Sequence, residues 1–432
     1  MRATLVAFAI AVATSACSGT HGPNPDKPAA PDANDPAFSV QGLKNWYLIG
    51  DAVTPGDDKI VMQVTAPAGT STVDAYVGDL PPVRMVAQNG GFAMQFDLAN
   101  VQPGANTILF AANDDRTAYA QATFHRSAVY YVLVSTDYDF SDPGPSAIQY
   151  MEWMHRDHSE MRITHFWAPY TYTDPTVTDA RRAELDTWIQ TQRDTHQDEI
   201  GLHIHPYCNF VTDAGLTCII DQSTVYPAGD ASGYTIELAA YGHDNLSTLL
   251  QHAFTIFGAH GLGKPQTFRA GGWTADANTL RALDDNGFIA DTSALNWARI
   301  EEWKGKELYT WNMEHWAPIG DTSQPYYPSP TDTLPANSGP PLALLEVPDN
   351  GVMIDYVSTA EITGIFDANW DGMGLAVPTT LMMGFHPATG LSYDEYTRVQ
   401  QFLKYADQHL HSQDLGPVIY TTLTDVTPVF HL

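Results

Sequence analysis

Seven apolar runs of strand length alternate with helix-length segments after residue 128, and no other feature of the chain narrows its fold as far. The runs fall at 129–135, 162–167, 199–205, 266–270, 288–292, 343–347 and 380–386. Candidate helices lie between them at 146–158, 178–195, 244–260, 275–286 and 392–412, the second opened by Thr178 as a cap. Strands and helices alternating over ~300 residues predict a barrel of parallel strands, whose chemistry gathers at the C-terminal strand ends. Two irregular stretches, about 206–243 and 297–341, are expected to overhang that face.

Those strand ends carry residue types that bind metals and move protons. The run from Glu199 ends in His203-Ile204-His205-Pro206, and residues i and i+2 of a strand share a face. The run from Val129 ends in Asp137-Tyr138-Asp139, again a same-face pair. Carboxylate and imidazole converging from two strand ends suit Zn²⁺ or a similar divalent ion. Three more strand ends carry Arg269, Asp291 and His386. There is no G-x-S-x-G elbow, which argues against a serine esterase.

The chain before residue 128 reads differently. Residues 1–17 form an export signal, with Arg2 ahead of a short apolar core. Thr14-Ser15-Ala16-Cys17 resembles a bacterial lipoprotein box, which makes Cys17 the lipidation site and places the protein in the cell envelope, anchored or secreted. Residues 18–38 are Pro-, Asp- and Ala-rich and predict a disordered linker. Residues 39–127 alternate apolar and polar positions between turn signals, including Asn89-Gly90-Gly91, and predict an all-β sandwich similar to an immunoglobulin-like module. Lys+Arg 20 against Asp+Glu 50 gives a net charge of −30, which excludes nucleic acid and anionic membrane surfaces as electrostatic partners. In an exported chain Cys208 and Cys218 predict a disulfide; the other option is Cys208 as a metal ligand.

From residue 128 onward the sequence resembles the polysaccharide deacetylase family, the NodB-homology domain of carbohydrate esterase family four. Thr136-Asp137-Tyr138-Asp139 is similar to the family's first motif, His203 to the first histidine of its second, and Arg269-Ala270-Gly271-Gly272-Trp273 to its third. Asp291 and His386 match the fourth and fifth. Tyr207 stands where the family has its second histidine, and Gly384 where it has a leucine. The resemblance implies a distorted (β/α)7 barrel and a monomeric, metal-dependent enzyme that deacetylates an N-acetylated, or else O-acetylated, polysaccharide. It implies Zn²⁺ as the cofactor, held by Asp139, His203 and either His205 or His243. Asp137 is then the base, Arg269 its tether, His386 the acid and Asp291 the group that orients the acid. Trp273, Tyr138 and Tyr207 are expected to meet the substrate, with a backbone N–H near Tyr138 supporting the oxyanion. Two rival readings are a barrel glycoside hydrolase pairing Asp137 or Asp139 with Glu346, and a non-catalytic surface protein that binds glycans. Of Trp297, Trp303, Trp311, Trp316, Tyr326 and Tyr327, one or two at most are expected in the groove.

Overall fold

The structure is a computed structural model that describes residues 24–227, 229–387 and 391–430. The expected signal segment 1–17 with Cys17, and residues 18–23 of the expected linker, lie outside the described residues. The chain divides into two compact units. The first holds 24–43, 59–101 and 106–123; the second holds 44–58, 102–105 and everything from 124 on. The division therefore follows no single cut in the chain.

The first unit is built from antiparallel strands. Val40–Gln41 pairs with Lys59–Val64, which pairs with Gly91–Asp97, which pairs in turn with Val86–Gln88. Ile60, Met62 and Val64 are buried while Lys59 and Val61 are exposed, the period-two pattern of a strand with one wet face. Gln88 faces Gly91 across a two-residue turn, and both turn residues, Asn89 and Gly90, have positive φ (49° and 80°). That is the conformation a type I′ hairpin needs, and Asn-Gly supplies it at low steric cost. A second set pairs Val73–Val77 with Val83–Arg84 on one side and residues 108–112 on the other. Residues 29–35, expected to belong to a disordered linker, are instead hydrogen-bonded. Ala29 N donates to Arg116 O and Asp35 N to Tyr119 O, at 2.9 and 2.8 Å. The segment between two strands, 113–119, supplies these backbone groups with partners that composition does not reveal.

The second unit is a curled sheet of parallel strands wrapped by helices. In chain order its strands are β1 (Tyr130–Asp137), β2 (Ile163–Trp167), β3 (Glu199–Ile204), β4 (Thr267–Ala270), β5 (Ala290–Asp291), β6 (Leu345–Glu346), β7 (Thr379–Phe385) and β8 (Val418–Thr421). They lie in the order β6-β5-β4-β3-β2-β1-β7, and β8 pairs with the first half of β1. The first seven are the seven runs read from the sequence; β8 was not anticipated. Residues 349–354 bridge the gap between β6 and β7: Gly351 N and Ile354 N donate to Met382 O and Gly384 O, at 2.7 and 2.8 Å. The helices are α1 (Gly144–Asp157), α2 (Asp179–Thr191), α3 (Cys208–Asp213), α4 (Gly242–Ala259), α5 (Ala277–Asp285), α6 (Glu307–Trp316), α7 (Thr359–Asn369), α8 (Tyr393–Ala406) and α9 (Leu423–Val426). Thr178 caps α2 as expected, its side chain accepting from Arg181 N at 3.2 Å. Among the described residues no helix is long and apolar enough to cross a membrane.

Strand parity decides which side chains reach the site. Tyr131, Leu133, Phe166, Ala290, Leu345 and Met382 share one buried cluster, the barrel interior. Tyr130, Val132, Val134, Leu202, Phe268 and Leu381 belong to another, between sheet and helices. Side chains alternate along a strand, so the interior column of β1 continues from Leu133 through Ser135 and Asp137.

Candidate active site

Asp137 and, just past β1, Asp139 extend that interior column to the C-terminal mouth. His203 on β3 and His205 just past it do the same, as do Arg269 on β4 and His386 just past β7. The Nε2 atoms of His203 and His205 lie 3.3 and 3.4 Å from Asp139 Oδ1. All three residues are buried, and their candidate ligand atoms lie within 4.8 Å of one another. Each imidazole is fixed from behind. His203 Nδ1 lies 2.9 Å from Arg269 O, and His205 Nδ1 lies 2.8 Å from Tyr234 O. A carbonyl only accepts, so each Nδ1 carries the proton and each Nε2 turns a lone pair toward Asp139. His205 Nε2 is buried with no hydrogen-bond partner. Two lone pairs and a carboxylate meeting in a buried space fit a divalent cation, and this donor set suits Zn²⁺. Burial alone would raise the Asp139 carboxyl, but the positive charge of His386, 3.9 Å from Oδ1, is the largest influence pulling it the other way, well below the usual range.

Asp137 and Arg269, the expected base and tether, are in contact. Arg269, fully buried, donates to Asp137 Oδ1 at 2.8 Å and to Ser135 Oγ at 3.0 Å. Its other arm lies 3.3 Å from Asp349 Oδ2, and the guanidinium sits over the Phe166 ring at 4.6 Å. Asp349 is buried, which pushes it up to about 7 although Arg269 pulls the other way.

Asp291 does not orient His386. Ala290 faces the barrel interior, so its neighbour Asp291 faces out of it. There it sits beside Glu346 in strand register and accepts from Ser293 Oγ at 3.0 Å. The orienting carboxylate is Asp355, 2.9 Å from His386 Nδ1. Burial pulls the His386 imidazole down, but Asp355, with Asp139 and Asp137, raises it to about 10. Glu346 is likewise turned from the interior and fully buried, so it is not placed to pair with Asp137 or Asp139 in a glycoside hydrolase.

These groups open into a cavity of about 210 Å³ lined by Asp137, Asp139, His203, His205, His386 and Trp273, with Tyr234 and Tyr356 as further walls. The overhanging stretches contribute to it as expected: Thr224 to Tyr226 come from the first, Trp303 and Leu308 from the second. Trp303 is the one member of the expected aromatic set that lines the cavity. Trp273 has positive φ (56°), follows Gly272 and carries a buried Nε1–H with no partner. Helix α6 holds that turn: Asn312 Nδ2 donates to Gly272 O at 3.0 Å and Trp316 Nε1 to Trp273 O at 3.1 Å.

Tyr138 is not at the cavity. It has the opposite parity to its neighbours and is buried against helices, with its hydroxyl 2.9 Å from His165 Nδ1. Its backbone N–H donates to Phe166 O at 3.2 Å and is not available to an oxyanion. Tyr207 is half-buried outside the lining, stacked against Tyr234 at 5.5 Å. His243 lies at the surface between Asp244 and Asp285, and it is His205 that joins Asp139 and His203 in the candidate metal site. Cys208 and Cys218 are joined, with Cα atoms 5.1 Å apart.

Asp355, Tyr234 and Tyr356 were not anticipated. They lie on irregular segments, and only a buried histidine in need of a carboxylate hinted at the first.

No family model matches the chain, and no curated protein does either. Among solved structures it is similar to Puue allantoinase, at 13% identity over 70% of this chain and 90% of that one, with a TM-score of 0.42. It is also similar to a family 4 carbohydrate esterase from Streptomyces lividans in complex with acetate, at 10% identity over 69% and 95%, with a TM-score of 0.35. A third is the Xyl-CE4 domain of a multidomain xylanase from the hindgut metagenome of Trinervitermes trinervoides, at 9% identity over 68% and 88%, with a TM-score of 0.34.

Proposed function

We propose that the protein is a metal-dependent hydrolase that removes acetyl groups from an N-acetylated polysaccharide. One observation carries the reading: two histidines fixed to present lone pairs beside Asp139, within one cavity that also holds an Arg-tethered carboxylate and an Asp-held imidazole. Asp139, His203 and His205 would hold a divalent ion, Zn²⁺ by the chemistry of the set. When bound, the ion supplies Lewis-acid polarisation of the acetyl carbonyl and of a water.

The chain's own groups do the rest. Asp137 takes the proton from the attacking water, and Arg269, donating to its Oδ1, fixes the direction of that carboxylate. His386, charged at neutral pH, gives a proton to the departing amine nitrogen, and Asp355 keeps its ring aimed. Trp273 walls the cavity. The cavity volume suits a short acyl group, with the sugar chain lying outside.

The same reading makes the protein a monomer of the bacterial cell envelope, anchored through a lipid on Cys17. Its first unit is then an immunoglobulin-like spacer. The test is acetate release from a panel of N-acetylated glycans, with and without a chelator. Release that stops with chelator and returns with Zn²⁺ is expected. Release indifferent to chelator, or reducing sugar without acetate, overturns the reading.

A further inference from the structure

Tyr234 touches two of the three side chains in the ligand trio, and it does so from a loop outside the barrel. Its carbonyl accepts from His205 Nδ1 at 2.8 Å. Its hydroxyl donates to Asp139 Oδ2 at 2.7 Å. Asp139 is thereby divided: Oδ1 faces the Nε2 atoms of His203 and His205, while Oδ2 is engaged by the phenol.

The loop is built to hold that ring still. The Asp230 carboxylate accepts from the backbone N–H groups of Ser232 and Thr235, at 2.9 and 2.8 Å, and from both hydroxyls. Gly233 has a φ of +83°, and a Cβ there would stand 2.4 Å from Pro206 O, so the turn closes directly on the residue after His205. Cys208 N donates to Ser232 O at 2.8 Å. The Tyr234 ring lies 4.4 Å from His205 and stacks between Phe140 and Tyr207, at 5.2 and 5.5 Å.

We propose that Tyr234 is a positioning residue that makes Asp139 a one-oxygen ligand and so keeps coordination positions open for water and the acyl oxygen. The proposal rests on the metal-dependent reading above. A free carboxylate beside a divalent ion can bind through either one oxygen or two; a hydrogen bond that engages the second oxygen opposes the two-oxygen mode. Groups that hold metal ligands from behind change affinity or activity by about 10–100-fold when removed.

The experiment uses the full chain and Tyr234→Phe, each loaded with Co²⁺, whose visible bands weaken as coordination number rises. Phenylalanine keeps the ring stacking, and circular dichroism checks the fold. The variant is expected to hold Co²⁺ at least as tightly, to show weaker visible absorption and to lose about 10–100-fold in kcat. An unchanged Co²⁺ spectrum and affinity overturns the proposal whatever happens to kcat. Failure of the unsubstituted chain to take up Co²⁺ overturns the metal-dependent reading as well, which separates the two failures.

Discussion

Asp137 and Asp139 stand two residues apart on one strand end, and their neighbours give them different work. Asp137 lies deeper, 2.8 Å from a fully buried guanidinium; Asp139 faces two imidazole lone pairs. Asp137→Asn should keep fold and bound metal and lose about 10²–10⁴-fold in kcat, the usual cost of removing a general base. Asp139→Asn should lose metal affinity, with activity partly restored by excess metal. Elemental analysis and acetate release on both variants check this, and exchanged outcomes would exchange the roles. The spacing of these carboxylates was legible because i and i+2 share a strand face whatever the fold. The partner of His386 was not: Asp355 is 31 residues away on an irregular segment, and no local pattern links the two.

At the scale of elements, the loops carry as much of the site as the strands. The stretch after β3 presents Tyr234 and is tied at its root by Cys208–Cys218, a pair separated by 10 residues. A loop that short gains about 3 kcal/mol at most from closure. The Cys208→Ser, Cys218→Ser double variant should therefore lower activity and metal affinity more than it lowers the unfolding midpoint. Thermal denaturation and metal titration on the same sample check it; a large fall in midpoint with unchanged metal affinity would count against it. Helices α6 and α7 were not among the helices read from the sequence. Helix α7 did carry a start signal: Ser358 and Glu361 form a capping box, and the S-x-x-E spacing stands in the sequence.

In the whole molecule, the second unit takes residues 44–58 from within the span 39–127 that was expected to form one module. Trp46 is buried there, stacked on His125 at 4.3 Å and edge-on to Trp370 at 5.7 Å, while its backbone N–H donates to Asp414 Oδ1 at 2.8 Å. Trp46→Ala should destabilise this unit by about 3–5 kcal/mol, the cost of emptying a large buried site. Denaturant unfolding followed by acetate release would check it; a loss under about 1 kcal/mol would mean the segment is dispensable.

The sequence by itself determined the seven strands of the barrel, their C-terminal ends as the place for chemistry, and the pairing of residues along each strand. Those follow from local spacing and from runs long enough to need burial. It could not say which parity of each strand faces the barrel interior. Strands buried on both faces are apolar on both, so the pattern that marks a wet face elsewhere is missing. Only tertiary structure decided that Asp137, Asp139, His203, Arg269 and His386 point inward while Tyr138, Asp291 and Glu346 point out. The contacts that complete the site come from residues far apart in sequence, and their meeting depends on how the loops close over the barrel mouth.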